Sequence, residues 1–476
     1  MPLHSISEAL EDRYAENPLT ITFVHIAPQY LKEGIMWKYR GPISVFVMVV
    51  AGILCLSASY QVKADVQPGD VVSKENMDKA ESLLIPTIKW FVQNGLKINV
   101  TPYRSIALPK AYQEATEKYS GQVKLSPDGR DIYNYVAGLP FPVIDPNDPL
   151  VGAKIMWNHE QKPTYIDNVG TEWITELVNS KGELERTYGS QYGRRMMWTG
   201  RLYTEPKPVI PHTPPIRYTE QFGPLFTPAD LKGASALTFR YLEPGMPDDS
   251  YMYLPELRRV RRISVANRSD AFWGSDMDLD SVWGFASKVS FWTFRLLAEK
   301  EILAPVHSGK YGDRAAWCAP TDGKSGIQGF TPCNINWEKR KVWVVEGLPT
   351  AYSQYAYSKR IMYVDKEFWN MNFDEMYDSG GELWKCWFNI FDFTSKPYDK
   401  YPIKPLDGGK YNYTDEWPYT PNGMMVDVQT IHATKWDAPS GHVSPQEWLT
   451  EWYFNEDVEI NTTKAYSINY LIESAR

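Results

Sequence analysis

Histidine and cysteine are scarce, at seven and four in 476 residues. None of the cysteines stands near a pair of histidines, so a zinc site is not expected. Histidines 159, 212, 307, 432 and 442 are scattered over polar or proline-rich stretches, where surface positions are expected. Positive charge is in deficit: 50 Lys and Arg face 58 Asp and Glu, and the net charge of −8 argues against nucleic acid or anionic lipid as a nonspecific partner. Long apolar runs are missing too. The longest, Ile43 to Leu56, falls short of the roughly 20 residues a spanning helix needs. No fixed-period repeat exists, which excludes solenoids and propellers. G-x-G-x-x-G, G-x-S-x-G and H-E-x-x-H are all absent, and Gly323-Lys324-Ser325 lacks the earlier glycine of a phosphate loop, because Cys318 stands there. Asp276-x-Asp278-x-Asp280 starts like a calcium loop, but Ser281 and Ser287 replace the required glycine and glutamate, so a solvated acidic loop is expected. No catalytic residue, metal or cofactor is nominated.

What is abundant is aromatic side chain: 18 Trp, 31 Tyr and 18 Phe, or 14% of the chain. Rings in that number suit the core of a sandwich or barrel, or the lining of a greasy cavity.

Near the start, Met36-Trp-Lys-Tyr-Arg40, the apolar run and Val62-Lys-Ala64 have the layout of a secretory signal peptide. We therefore expect residues 1–35 to be a mis-called extension, 36–64 a leader, and the mature chain to begin at Asp65. The alternative is a genuine extension on an uncleaved anchor. Leu54 is too large for a lipobox, so Cys55 is not expected to carry lipid. The expected location is the periplasm. In that oxidising compartment Cys318 and Cys333 are expected to pair, leaving Cys386 as a buried free thiol.

From 65 to 158 the chain reads as helical and proline-rich. Ser73 is a plausible N-cap, Pro86 divides two helices before Gly95, a third helix spans 110–118, and Asp148 opens a fourth through Trp157. A hairpin occupies 122–136, and 138–149 is an extended surface linker. From 159 to 476 short strands follow one another: 171–178, 184–190, 194–204, 234–242, 250–254, 259–265, 284–296, 341–346, 358–365 and 382–393. Loops are expected at 205–231, as a rim or lid, and at 397–423, before a mixed tail from Met424. Residues 65–476 are expected to form one continuous unit.

The stretch Asp248–Asp280 is the most informative. An aromatic strand, a turn at Pro255-Glu256-Leu257 and a return strand place four arginines, Arg258, Arg259, Arg261 and Arg262, beside Tyr251, Tyr253 and several acids. Stacking on rings and pairing with carboxylates is the expected role. The run from Tyr-x-Pro through Arg-Arg-Ile-Ser to Phe-Trp-Gly-Ser-Asp resembles the outer-membrane lipoprotein-sorting superfamily, home of the carriers LolA and LolB. Tyr119–Gly129, Gly138–Pro149 and Lys154–Asn158 add to the likeness, which is nearer to the domain of unknown function 1329 family.

The resemblance implies a mainly β, α+β fold: one large curved antiparallel sheet, or an open or half barrel, with helices packed in or against its concave face. It also implies a periplasmic carrier or adaptor holding a lipid-like molecule in a cavity, with an RND-type exporter and an outer-membrane barrel as partners. Inward rings are sought first among Tyr251, Tyr253, Trp273, Trp283, Phe291 and Trp292. The competing readings are a non-catalytic scaffolding or regulatory protein and an enzyme acting on envelope lipid or glycan.

Overall fold

A computed structural model describes residues 66–163, 168–199, 210–309, 316–318, 326–350, 355–393, 418–437 and 463–475. Ala64–Arg476 form one compact unit. The extension, the leader, Cys55, His442 and all of 397–417 lie outside the described residues.

The chain opens with β1 (Val71–Val72), a 3-10 turn (Met77–Leu83), α1 (Pro86–Gln93) and β2 (Ile98–Val100). Pro86 sits in the first turn of α1, where its missing N–H goes unused, and Gly95 follows the helix at φ +108. Asn76, not Ser73, precedes the 3-10 turn. Then come α2 (Lys110–Tyr119), a small ribbon of β3 (Lys124–Leu125) and β4 (Ile132–Tyr133), and α3 (Val151–Glu160). Gly138 to Pro140, expected on the surface, are buried, because Gly138 lies directly against the backbone of Thr116.

Strands follow as β5 (Asn168–Val178), β6 (Leu184–Met197), β7 (Ile216–Phe222), β8 (Leu225–Thr227), β9 (Ser235–Tyr241), β10 (Asp249–Leu254) and β11 (Arg259–Ile263). A crossing segment, 264–291, leads to β12 (Trp292–Ala304), β13 (Asn336–Pro349), β14 (Lys359–Asp365), β15 (Met371–Tyr377), β16 (Leu383–Phe393), β17 (Pro418–Asp427) and β18 (His432–Asp437). A last helix, α4 (Ile468–Ser474), begins with the Ser467 side chain accepting from the Tyr470 N–H.

Among the described residues sixteen strands make one sheet, open at both edges. From β5 the chain steps outward to the β11 edge, crosses through 264–291, restarts at the opposite edge with β12, and steps back until β18 pairs with β5. Pairing is antiparallel except between β2 and β13, so the expected antiparallel sheet is a mixed one, unclosed. Both faces of the central strands are buried. On β13, Val342 and Val344 point to one side and Trp343 and Val345 to the other, all at most 7% exposed. The first side packs under α1, with Phe91, Phe373, Phe388 and Val426 in one cluster. The second packs under α3 and, farther along, under the crossing segment.

Three expectations need correction. The strand placed at 284–296 runs instead from Trp292, after a 3-10 turn at Val289–Phe291. Within 205–231, expected to be loop, lie β7 and β8, and within 397–423 and the supposed tail lie β17 and β18. The physical reason is that β7 buries Arg217, Thr219, Glu220 and Gln221, and β15, missed entirely, buries Asn372, Asp374 and Glu375. Polar residues with internal partners erase the apolar alternation by which strands are recognised.

Candidate functional site

Where the two halves of the sheet meet at β18 and β5, the crossing segment roofs an apolar pocket of about 70 Å³. Its floor is Trp173 and Thr175 on β5, Gly193 on β6, Phe222 on β7, Trp387 on β16, Thr420 on β17 and Trp436 on β18. Its roof is Phe272, Met277, Val282 and Trp283. Six of the eleven lining residues are aromatic and none is charged. Trp387 and Trp436 lie tilted by 34° with centroids 4.7 Å apart, while Trp173 and Phe222 meet edge-on at 6.3 Å. Thr175 Oγ1 is buried in this wall with no hydrogen-bond partner among the described residues.

Glycine makes room for the rings. Gly423 pairs opposite Trp436, and a Cβ there would stand 2.1 Å from Trp436 Cζ2. A Cβ on Gly193 would come within 2.9 Å of Trp173 Cδ1. Two roof tryptophans, Trp273 and Trp283, adopt φ of 53° and 63°, a left-handed conformation that is costly for a bulky residue and is held here by the surrounding packing.

The acidic triplet is not solvated: Asp276, Asp278 and Asp280 are 8%, 0% and 1% exposed. They anchor the roof. Asp278 accepts from Ser281 Oγ at 2.6 Å and Tyr357 OH at 2.7 Å, with the Arg360 guanidinium 3.9 Å away. Asp280 accepts from Arg268 Nε at 2.6 Å and Tyr355 OH at 2.8 Å. Arg360 also bonds Asp374 at 2.5 Å and rests on Phe285, Trp292 and Tyr357. Burial raises the Asp278 carboxyl above its ordinary value and pushes Asp374 up to about 7, against the pull of Arg360. Asp276 bonds His432 Nδ1 at 2.6 Å and Thr434 Oγ1 at 2.7 Å.

Of the rings sought from sequence, Trp283 lines the pocket. Trp273 lies just behind it, edge-on to Phe272 at 5.1 Å. Tyr251 and Tyr253 belong to a separate cluster with Leu237 and Tyr466. Phe291 and Trp292 pack beside Trp343, with Trp292 Nε1 donating to Ser287. Sequence reasoning missed Trp173, Phe222, Trp387 and Trp436, which come together across strands rather than along the chain, and Phe272, the neighbour of Trp273 in the roof.

Arg259, Arg261 and Arg262 stand exposed on the edge strand β11, and Arg258, also exposed, turns the hairpin at φ 48. Of these, Arg262 pairs with Asp249, which also accepts from Tyr241 OH. Charges on an open edge oppose strand-to-strand aggregation. Cys318 is joined to Cys333, with Cα atoms 5.0 Å apart, and Cys386 is a free, buried thiol raised by that burial. Two histidines expected on the surface are not free of the fold: His159 is fully enclosed, and the half-buried His307 sits 2.7 Å from Glu338. Among the described residues no cluster suits a metal and no helix is long and apolar enough to cross a membrane.

A family profile, Protein of unknown function (DUF1329), matches residues 71–456. The chain belongs to the DUF1329 family. No curated protein matches it. Among solved structures it is similar to a domain described as an outer membrane lipoprotein-sorting protein from Vibrio parahaemolyticus, at 17% identity and TM-score 0.43, over 67% of this chain and 98% of that one. A DUF1329 protein from Desulfovibrio piger aligns at 15% identity and TM-score 0.38, over 64% and 92%. A LolA superfamily protein from Nitrosomonas europaea aligns at 10% and 0.36, over 67% and 98%.

Proposed function

We propose that this DUF1329 protein is a non-catalytic periplasmic carrier or adaptor for a hydrophobic molecule, taken up at the seam between β18 and β5. The observation that carries the proposal is the pocket of six aromatic rings with no charged lining. Transfer of such a molecule needs no acid, base or nucleophile.

Size limits what the pocket holds as it stands. A 150 Å³ cavity accepts benzene, so the 70 Å³ here takes roughly three carbons. At about 0.8 kcal/mol per methylene that is about 2.4 kcal/mol, whereas micromolar affinity takes about 8. A ligand therefore enters by its tip, and the remainder requires the roof to move. Tyr251, Tyr253, Phe291 and Trp292 lie away from this path. The proposed partners, an RND-type exporter and an outer-membrane barrel, rest on the family resemblance.

A scaffolding role is the second reading, supported by side chains filling both faces of the central strands. Organic extraction of protein purified from its native envelope separates the two. A stoichiometric lipid is expected for a carrier. No extractable lipid, with no uptake of a neutral apolar dye, would leave the scaffold.

A further inference from the structure

Of the roof, the turn Phe272–Met277 is tied to the sheet differently from the rest. Its own closure is a hydrogen bond from Phe272 N to Met277 O at 3.0 Å, so it is a unit. Behind it, Asp278 and Asp280 are fixed by buried arginines, and before it Asp270 and Ala271 are exposed. Among the described residues four groups hold the turn down. Tyr188 OH donates to Trp273 O, Lys385 Nζ donates to Asp276 O at 3.0 Å, Thr434 Oγ1 bonds both Asp276 N and Oδ2, and His432 bonds Asp276 Oδ2.

We infer that Phe272–Met277 is the gate of the pocket and that His432 is its latch, closed while the imidazole is protonated. The inference rests on the ligand-binding reading above and assigns its regulation. His432 lies between two carboxylates: Nδ1 is 2.6 Å from Asp276 Oδ2, and Nε2 is 3.3 Å from Glu185 Oε2 on β6. A neutral ring carries one N–H, so on losing its proton it presents a lone pair to one of the two acids and no charge to either. Of these ties His432 supplies the imidazole, the side chain whose ordinary range lies nearest neutral pH, so it is the tie that switches.

The surroundings agree. Asp427 faces His432 across the β17–β18 register, but its carboxylate accepts from Trp384 Nε1 and from the Gln429 and Thr430 N–H groups. Lys385, from β16, is a nearby cation and is directed at the Asp276 carbonyl. The Asp276 hydrogen bond, above all, holds the imidazole above its ordinary value, against partial burial, with Glu185 adding to it. A group raised in the closed state stabilises that state fully below its open-state value of about 6.5 and loses the effect as pH rises through the closed-state value. The gate is therefore shut on the acid side and opens toward alkaline pH.

The test uses the full chain and N-phenylnaphthylamine, an apolar dye that does not titrate in this range. Stopped-flow uptake is expected to be several-fold faster above the imidazole transition than below it, along a single titration step. His432→Gln and Asp276→Asn are expected to take up dye fast at both extremes, while Glu185→Gln keeps the step and moves it to lower pH. Hydrogen exchange across 272–277, compared between wild type and His432→Gln at one acid pH, reads the gate without ligand. Faster exchange in the variant supports the latch. Dye uptake that is flat with pH in wild type, with equal exchange in both proteins, overturns it while leaving the binding site standing. No dye binding in any variant, with exchange still faster in His432→Gln, keeps the gate and removes the hydrophobe as its ligand.

Discussion

Trp436 lies flat against the sheet because its partner across β17 is Gly423, where any Cβ would meet the indole at 2.1 Å and the Phe388 carbonyl oxygen at 2.5 Å. The absence of one side chain thus creates the pocket floor. Gly423→Ala is expected to tilt Trp436 into the pocket, lower stability by about 1–3 kcal/mol as overpacking does, and abolish dye binding. Urea unfolding and dye titration on the same preparation check both parts. Unchanged binding would mean the ring is not the floor.

Trp283 offers the opposite balance. Its left-handed backbone costs about 1–3 kcal/mol, comparable to what its half-buried ring returns. Trp283→Gly removes the ring and relieves the backbone together, so stability is expected to change by less than about 1 kcal/mol while dye affinity drops several-fold. A large loss of stability instead would make Trp283 a packing residue.

Much of this architecture was legible beforehand. The strand expected at 382–393 from its alternation is found at Leu383–Phe393, the hairpin return expected at 259–265 at Arg259–Ile263, and the break at Pro86 and the turn at Pro255 were legible too. What escaped notice has one cause: partners far apart in sequence. Arg360 neutralises Asp374 and approaches Asp278, and Thr87 donates twice to Glu375 at 2.7 Å. None of these pairs leaves a local pattern, so the Asp276–Asp280 run looked solvated and β15 looked like loop. The pocket was half legible. Trp283 stood out in an aromatic stretch, but Trp387 and Trp436 meet Trp173 only through pairings that join the two halves of the sheet.

Arg360 carries the buried end of the roof. Replacing it by Met leaves Asp374 and Asp278 without their cation, expected to cost about 3–5 kcal/mol at neutral pH. The sign with pH is then fixed. Asp374 is already pushed up to about 7 by burial, so in the variant the folded state takes up a proton that the unfolded chain, titrating near 3.8, does not hold. Stability of Arg360→Met should therefore recover as pH falls toward 4, and adding Asp374→Leu should remove that recovery. Denaturant midpoints across the range decide it.

The Cys318–Cys333 bridge closes 15 residues, a loop whose cross-link is worth about 3 kcal/mol in the chain-entropy account. Replacing both cysteines by serine is expected to lower stability by that order, with dye binding retained, since the bridge lies outside the pocket lining. Peptide mapping without reductant should recover the linked pair and leave Cys386 alkylated only after unfolding.

Two buried bases in contact add a further pH dependence. His159 Nδ1 donates to Trp369 O at 2.8 Å, which leaves Nε2 to accept from Lys162 Nζ at 3.3 Å. Burial lowers both, His159 well below 6.5 and Lys162 to about 7, with Arg195 adding to the effect on the lysine. Between about 10 and 7 the unfolded chain holds a lysine proton that the folded protein has released, so stability falls on acidification by up to about 1.4 kcal/mol per pH unit. Lys162→Met should lessen that slope, leaving the part carried by Lys288, which burial lowers to about 8, and be more stable than wild type at pH 7, although it loses the hydrogen bond to the His159 carbonyl. If instead the variant is weaker at every pH, the ammonium is paid for by its contacts with Glu160 and Glu220, and the lysine is a structural cation rather than a buried, readily deprotonated amine.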